Sequence, residues 1–512
     1  MADHVAVIDN AREHFEMGRR SAEAGHFAEA ARAYQDAARL ASPLWKDPAG
    51  TGEERETAAR LVADALYAAG MSAASQEPPE VTPLREATLT GITIYETDDL
   101  TGDVRLHGLY RAQCAAFEMG HLVMERDPEQ AIDLFLDAVG CVGALPHLDD
   151  PDQARLARLY ANAAAASFAL GNILRSREDT RFKTHFEIAM EHAETALEND
   201  RLPPMLAVET RLLLSDATYE LAMTEEEQPK AIERLQQALG WAREASESPG
   251  ADAIMQADAL LRGSRYACVY GLYLRHTDFE GGIEALEGAV ALARSTAEPT
   301  HIPTHMRVTA LDTAVRTQQN IGLLLKEDHT QRSRDAFQVA GDMAIEFAQD
   351  RGVPAPSRAG MLYLAANARL EQAILEQVLA ESERHEPALK LFEEVKQLAR
   401  NVLRVEGARH ESVARAALLG CGASGRLLRA VDPSDDARID RELQSIESLG
   451  QRAASASEAP PELRARGAFF AADAAGKLAE RAPSPAAADE ARHRAKQLTA
   501  LYHSLNPETT VH

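Results

Sequence analysis

Hydrophobic residues return every three or four positions along most of this chain, a helical rhythm rather than the alternation of a strand. Residues 11–43, AREHFEMGRRSAEAGHFAEAARAYQDAARLASP, hold two such stripes around a turn at Ala24-Gly25-His26. The small residues Gly18 and Ala30 stand where two antiparallel helices must approach closely. Tyr34 and Ala37, four and seven places after Ala30, continue the inward stripe of the second helix.

That second-helix pattern recurs as Ala131-Phe135-Ala138, Ala189-Ala193-Ala196, Ala231-Leu235-Ala238, Gly282-Leu286-Ala289, Ala336-Ala340-Met343 and Ala388-Phe392-Val395. Weaker echoes follow at Ile439-Leu443-Ile446 and Ala491-Ala495-Leu498. From 231 the first members step to 282, 336, 388, 439 and 491, intervals of 51, 54, 52, 51 and 52. A period of about 52 residues predicts a helical hairpin with helices of roughly 20 residues each. Proline, cheap at a helix start because its missing N–H would be unpaired there, marks the intervening helices at Pro151, Pro203-Pro204, Pro249, Pro303, Pro356 and Pro460-Pro461.

The period also bears on ATLTGITIYET, residues 87–97, whose β-branched alternation reads as a strand. A missing second helix is due near 83, where Thr82-Pro83 offers a cap and first turn. Helix over 83–97 is the favoured reading, with a β-hairpin ending near Thr101-Gly102 as the alternative. On the helix reading, Gly91→Ala is expected to be neutral or stabilising by up to about 1 kcal/mol.

Residues 11–43 resemble a tetratricopeptide repeat, with Met17, Gly18, Ala30, Tyr34 and Ala37 in the large, small, small, aromatic and small positions. They depart from the motif at His14, at Ser21 and at Pro43, which falls one place late. The resemblance implies a right-handed superhelix of helix pairs whose first helices line a concave face. Phe15 and Arg19 take the places of the Lys and Asn that clamp a C-terminal carboxylate in some members, so a chaperone-tail binder is disfavoured. The expected fold is thus all-α, one superhelical solenoid of about ten tetratricopeptide-like antiparallel hairpins over 1–512. Pro, Gly and Ser content marks breaks at 46–53, 75–83, 352–357, 453–461 and 482–487; those near 75–83, 352–357 and 453–461 are the expected sub-boundaries.

Composition narrows the function. Eighty acidic against 54 basic residues leave a net charge of −26, which argues against nucleic acid and against an anionic membrane surface. Of the 54 cations 46 are Arg, as GC-rich bacterial coding produces in an Ala-rich chain. Cys114, Cys141, Cys268 and Cys421 are scattered, forming neither a disulfide framework nor a zinc knuckle. The first residues show no signal-peptide pattern, and the most apolar stretch, 160–174, is too short and polar to span a bilayer. A cytoplasmic location is expected.

Catalytic signals are weak. Gly420-Cys421-Gly422-Ala423-Ser424-Gly425 fits G-x-G-x-x-G, but it follows a helical pattern where a dinucleotide fold needs a strand. Small residues there are read as close helix packing, so no cofactor is expected and Gly422→Ala is expected to destabilise. His301 and His305 are split by Pro303 and lack a third ligand, so no metal is expected. The pairs Asp98-Asp99, Asp149-Asp150 and Asp435-Asp436 are read as caps and turn residues.

Binding signals are better. Arg262, Tyr266 and Tyr270 form an i, i+4, i+8 stripe beside Arg265, and Arg and Tyr are favoured interface anchors; packing is the competing reading for the tyrosines. The mid-helix amides Asn162, Asn320 and Asn367 fall in first helices, where an amide can grip an extended backbone. The expected partner surface comprises Arg262, Arg265, Tyr266 and Tyr270 with Arg316, Asn320 and Asn367. The function expected is a non-catalytic protein-interaction scaffold or adaptor taking a protein or peptide partner. The alternatives are a regulatory or sensor subunit capturing a short peptide, or an enzyme with an enclosed site. Far-UV circular dichroism is expected to show about 70% helix or more; strand content above about 15% would overturn the solenoid.

Overall fold

The computed structural model describes residues 2–145, 152–350 and 352–506. Among these residues there are twenty helices and no strand, and helix takes up about four-fifths of the positions. The first three hairpins are α1 (Ala2–Glu23) with α2 (Phe27–Lys46), α3 (Gly52–Ala74) with α4 (Thr82–Tyr95), and α5 (Gly102–Val123) with α6 (Pro128–Gly143). Then come α7 (Gln153–Ser176) with α8 (Phe182–Leu197), and α9 (Pro204–Ala222) with α10 (Gln228–Glu247). Next are α11 (Ala253–Leu274) with α12 (Phe279–Ala297), and α13 (Thr304–Leu325) with α14 (Thr330–Gln349). The last three are α15 (Ala355–Leu379) with α16 (Glu386–Arg404), α17 (His410–Ala430) with α18 (Asp436–Ala454), and α19 (Pro461–Arg481) with α20 (Pro485–Leu505).

The fold is an all-α solenoid, and it divides into two compact units, Met1–Ala259 and Leu260–His512. The division falls inside α11, where composition gives no signal; the Pro-, Gly- and Ser-rich stretches mark ordinary loops between helices. Within the first unit α1, α3, α5, α7 and α9 pack each against the next, and within the second α13, α15, α17 and α19 do the same. Within each unit these first helices therefore share a layer, with the second helices laid against it.

The hairpins close on one recurring contact. A methyl group on Gly18 would sit 2.8 Å from the Tyr34 ring, on Gly120 2.7 Å from Phe135, on Gly171 2.5 Å from Phe186, and on Gly322 2.8 Å from Phe337. Leu84 against Gly70 and Leu286 against Gly271 fill the same role. The inserted positions run 34, 84, 135, 186, 286 and 337, and with the buried Leu235 between 186 and 286 the intervals are 49–51 residues. This corrects the sequence register in two hairpins: the inserted ring is Phe186 rather than Ala193, and Phe337 rather than Ala340.

A second repeated contact joins hairpins. Near the start of a first helix an Arg donates through Nε to a last-turn carbonyl of the preceding second helix: Arg55 to Trp45 (3.2 Å), Arg105 to Tyr95 (2.7 Å), Arg307 to Ala297 (2.9 Å) and Arg464 to Ala454 (3.2 Å). Carbonyls that the helix itself leaves unpaired are satisfied this way. Asp98 and Asp99 support this latch, pairing with Arg105 at 3.3 Å and Arg55 at 2.7 Å. Asp435 caps α18 as expected, accepting from the Arg438 amide, while Asp149-Asp150 and Pro151 lie outside the described residues.

Residues 82–95 are helical, so the hairpin alternative is excluded, although the N-cap is Val81 and makes no side-chain hydrogen bond. The expectation for Gly91→Ala is overturned all the same. Its added methyl would meet the Gly108 carbonyl and lie 2.9 Å from the Ala112 Cβ, because α4 and α5 cross on a pair of glycines. Gly450 and Gly467 repeat this crossing between α18 and α19. Gly422, by contrast, has nothing within 4 Å of the place its Cβ would take; Gly420 is the close-packed member, 2.7 Å from Leu449. Gly91→Ala is now expected to destabilise by about 1–3 kcal/mol, and Gly422→Ala to be neutral or stabilising by up to about 1 kcal/mol. Thermal melts of the two variants side by side check both signs.

Candidate functional site

In the second unit a groove of about 490 Å³ runs across three successive first helices. Asp312 and Arg316 come from α13, Gly360 and Tyr363 from α15, and Glu411 and Arg415 from α17, with Arg409 just ahead of that helix. Arg316 donates to Asp312 at 2.6 Å and Arg415 to Glu411 at 2.8 Å, each one turn back on its own helix. These are exposed pairs worth about 0.3–0.5 kcal/mol each, so a partner's carboxylate can displace the resident one at little cost. Among the described residues Arg409, which is exposed, makes no ion pair and no hydrogen bond through its guanidinium.

Of the residues expected from sequence, Arg316 lines this groove. Asn320, one turn further along α13, and Asn367, one turn beyond Tyr363 on α15, lie half-buried on the same stripes. Among the described residues neither side-chain amide makes a hydrogen bond. Asn162 is already engaged, donating to the Cys114 sulfur at 3.4 Å. The α11 residues stand apart from the groove lining. Arg265 is exposed, Arg262 and Tyr270 are half-buried, and burial lowers the Arg262 guanidinium pKa. Tyr266 has no exposed surface, which corrects its place among the anchors: it is a core residue, as the packing reading has it.

The Gly-rich string 420–425 lies inside α17 with its backbone in the helical ladder, and its Ser424 hydroxyl is buried against Ser445 at 3.1 Å. It is not a phosphate-cradling loop. His301 and His305 are exposed, and no group of three or more metal-ligating side chains occurs among the described residues.

The first unit carries a polar cluster that sequence reasoning missed. Asp64 on α3 accepts from Arg111 Nε at 2.6 Å and lies 3.0 Å from His107 Nε2, both on α5. The Arg111 guanidinium sits over the rings of Tyr67 at 5.1 Å and Tyr110 at 5.5 Å. Burial pushes the Tyr67 and Tyr110 hydroxyls above their ordinary values and the Cys114 thiol up to about 11, so that cysteine is held as an unreactive thiol. For Asp64 burial acts upward, yet His107 and Arg111 outweigh it and hold the carboxyl below its ordinary value. The only advance signal is spacing: Asp64 precedes its partners by 43 and 47 residues, somewhat under one period.

No protein-family profile and no curated protein sequence matches the chain. Solved structures with similar helical arrangements include the S. pombe nuclear import adaptor Nro1. One crystal form is 12% identical over 66% of this chain and 99% of that one, with a TM-score of 0.34. Another is 13% identical over 65% and 96%, with a TM-score of 0.37. The complex of Naa15/Naa10 bound to HypK-THB is 12% identical over 98% of each chain, with a TM-score of 0.16. At these scores the likeness bears on neither partner nor role.

Because the Asp64 carboxyl titrates lower in the folded chain than in the unfolded one, its contribution to stability is present above about pH 4 and lost as the pH falls through the folded value. Asp64→Asn is expected to lower stability at pH 7 by about 1–3 kcal/mol. It should also flatten the acid side of the melting-temperature profile; an acid limb as steep as that of the parent would rule the pair out as its source.

Proposed function

We infer that the chain is a non-catalytic protein-interaction adaptor, and that an extended segment of its partner lies across α13, α15 and α17. The observation that carries this reading is the open groove made jointly by three successive first helices, with Arg316, Tyr363 and Arg409 at its walls. Asn320 and Asn367 support it, since half-buried amides without hydrogen-bond partners among the described residues are placed to meet a backbone laid over them. The tetratricopeptide resemblance of residues 11–43 points the same way, because repeats of that kind present first helices to their ligands. A net charge of −26 favours a protein partner over nucleic acid. Among the described residues no helix is long and apolar enough to cross a membrane, in keeping with a cytoplasmic adaptor.

A photo-cross-linking amino acid at Gly360, a groove position with nothing within 4 Å of its Cβ site, tests the reading in the native cell. The same reagent at Lys390, an exposed position on α16, is the control. Discrete adducts to one or a few proteins from 360, absent from 390, are expected. Equal labelling from both positions, or none from 360, overturns the groove as the docking surface.

A further inference from the structure

Between the second helices α16 and α18 lies a cavity of about 230 Å³. Arg400 and Arg404, one turn apart on α16, face Ser445, Ser448 and Arg452 on α18, and Leu403 and Leu449 supply its apolar lining. Spacings of three and seven residues keep the α18 side chains on one face. Two contacts fix how the helices lie side by side. Lys396 meets Glu442 at 2.8 Å and, one turn on, Arg400 donates to the Ser445 hydroxyl at 3.4 Å, offsets of 46 and 45 residues. The same offset sets Arg404 against Leu449, within one turn of Arg452.

Three guanidiniums thus share one small cavity that no carboxylate lines, in a chain whose net charge is −26. The carboxylates on this part of α18 are committed elsewhere, Glu442 to Lys396 and Glu447 to Arg494 at 2.7 Å. Among the described residues the Arg404 and Arg452 guanidiniums make no ion pair and no hydrogen bond. Each residue sits in the last turn of its helix, where a cation offsets the helix dipole, but that accounts neither for Arg400 nor for the convergence of all three. Ser445 is an independent sign of a ligand. It is only 8% exposed, and its oxygen accepts from Arg400 and, at 3.1 Å, from the Ser424 hydroxyl. Its own hydroxyl proton has no acceptor among the described residues, a buried donor left for something in the cavity.

We propose that this cavity binds a phosphoryl group carried as a monoester. Such a group brings nearly two negative charges and three acceptor oxygens, which three guanidinium forks and a hydroxyl donor match. A carboxylate brings one charge and two oxygens. The cavity is smaller than the roughly 300–1,000 Å³ of pockets that enclose a whole small ligand, so it takes the phosphoryl group and leaves the carrier outside. The site uses none of the groove's residues and does not rest on the adaptor reading.

Isothermal titration calorimetry of the full chain with O-phosphoserine tests it, against serine and acetate at matched ionic strength. Saturable binding of O-phosphoserine alone is expected. Arg404→Gln and Arg452→Gln, both at exposed positions, should each weaken it about tenfold or more, with the ligand-free melting temperature close to that of the parent. Arg243→Gln, exposed on α10, should bind as the parent does. A second titration uses peptides with one phosphoserine between random flanks. Tighter binding than O-phosphoserine places the phosphoryl group on a partner protein, and weaker binding places it on a small molecule. No saturable binding of either probe, equal binding of acetate, or affinity unchanged in both Arg404→Gln and Arg452→Gln overturns the proposal and leaves the groove reading untouched.

Discussion

The structure depends on a contact seen in six of its hairpins, a hydrophobic side chain of the second helix seating in the gap left by a missing side chain on the first. Where Phe135 meets Gly120 or Phe186 meets Gly171, the ring lies against helix backbone, and any Cβ there would overlap it. Tyr34, Phe135, Phe186 and Phe337 supply few aromatic rings to a chain only 5% aromatic, yet each is fully or nearly fully buried. Alanine fills much of the rest of the core. Alanine buries little area per residue, so close helix approach has to make up what side-chain bulk does not supply. The glycine pairs at 91 and 108, and at 450 and 467, extend the same logic to the joints between hairpins.

Those joints also carry the Arg latch. Its donors Arg55, Arg105, Arg307 and Arg464 each reach back ten residues to a helix end. A guanidinium keeps its charge when half-buried and can serve a carbonyl and a carboxylate together, as Arg105 does with Tyr95 and Asp98. Lysine offers no such planar fork. The abundance of Arg, attributed from composition to coding bias, thus also has structural uses.

Periodicity made the fold legible. The rhythm of Ala131-Phe135-Ala138 and its echoes located the hairpins, and it predicted a helix over 83–97, found at 82–95, against the local β-branched signal. Register was harder to read. In α8 Ala189, Ala193 and Ala196 are all fully buried, so an alanine triplet three residues away from the inserted Phe186 looks like a core triplet because it is one. Only the facing Gly171 tells the two apart. Gly91 misled for a related reason: helix propensity is a property of one segment, and the crossing helix that fixes the sign lies 17 residues on at Gly108. Tyr266 carried the composition of an interface anchor with the burial of a core residue, and composition cannot distinguish them. The exposure of Arg316 and the half-burial of Asn320 and Asn367 were legible, because charged and amide side chains inside a first helix have few internal partners to satisfy them. The Asp64–Arg111 cluster was not, since a carboxylate and a guanidinium in neighbouring repeats are among the commonest pairs in a chain that is 26% charged.

The division of labour within a hairpin leaves one stripe of a first helix outside the core. The second helix contributes the bulky inserted residue, so the first needs only small residues on the side that receives it, such as Gly322 on α13. Its opposite stripe is then free of the core's demands and can hold Arg316, Asn320 and Leu323 in succession without disturbing the packing. Because first helices also pack against one another, the stripes of α13 and α15 are held in fixed register, as the 2.8 Å bond from Gln319 to the Leu364 carbonyl shows. A partner docking here as proposed would meet side chains already placed by helix packing, so little ordering would be charged against its affinity. Specificity along this face is then decided by which side chains occupy the stripes, and those can vary while the glycine–ring contacts that build the repeat stay in place.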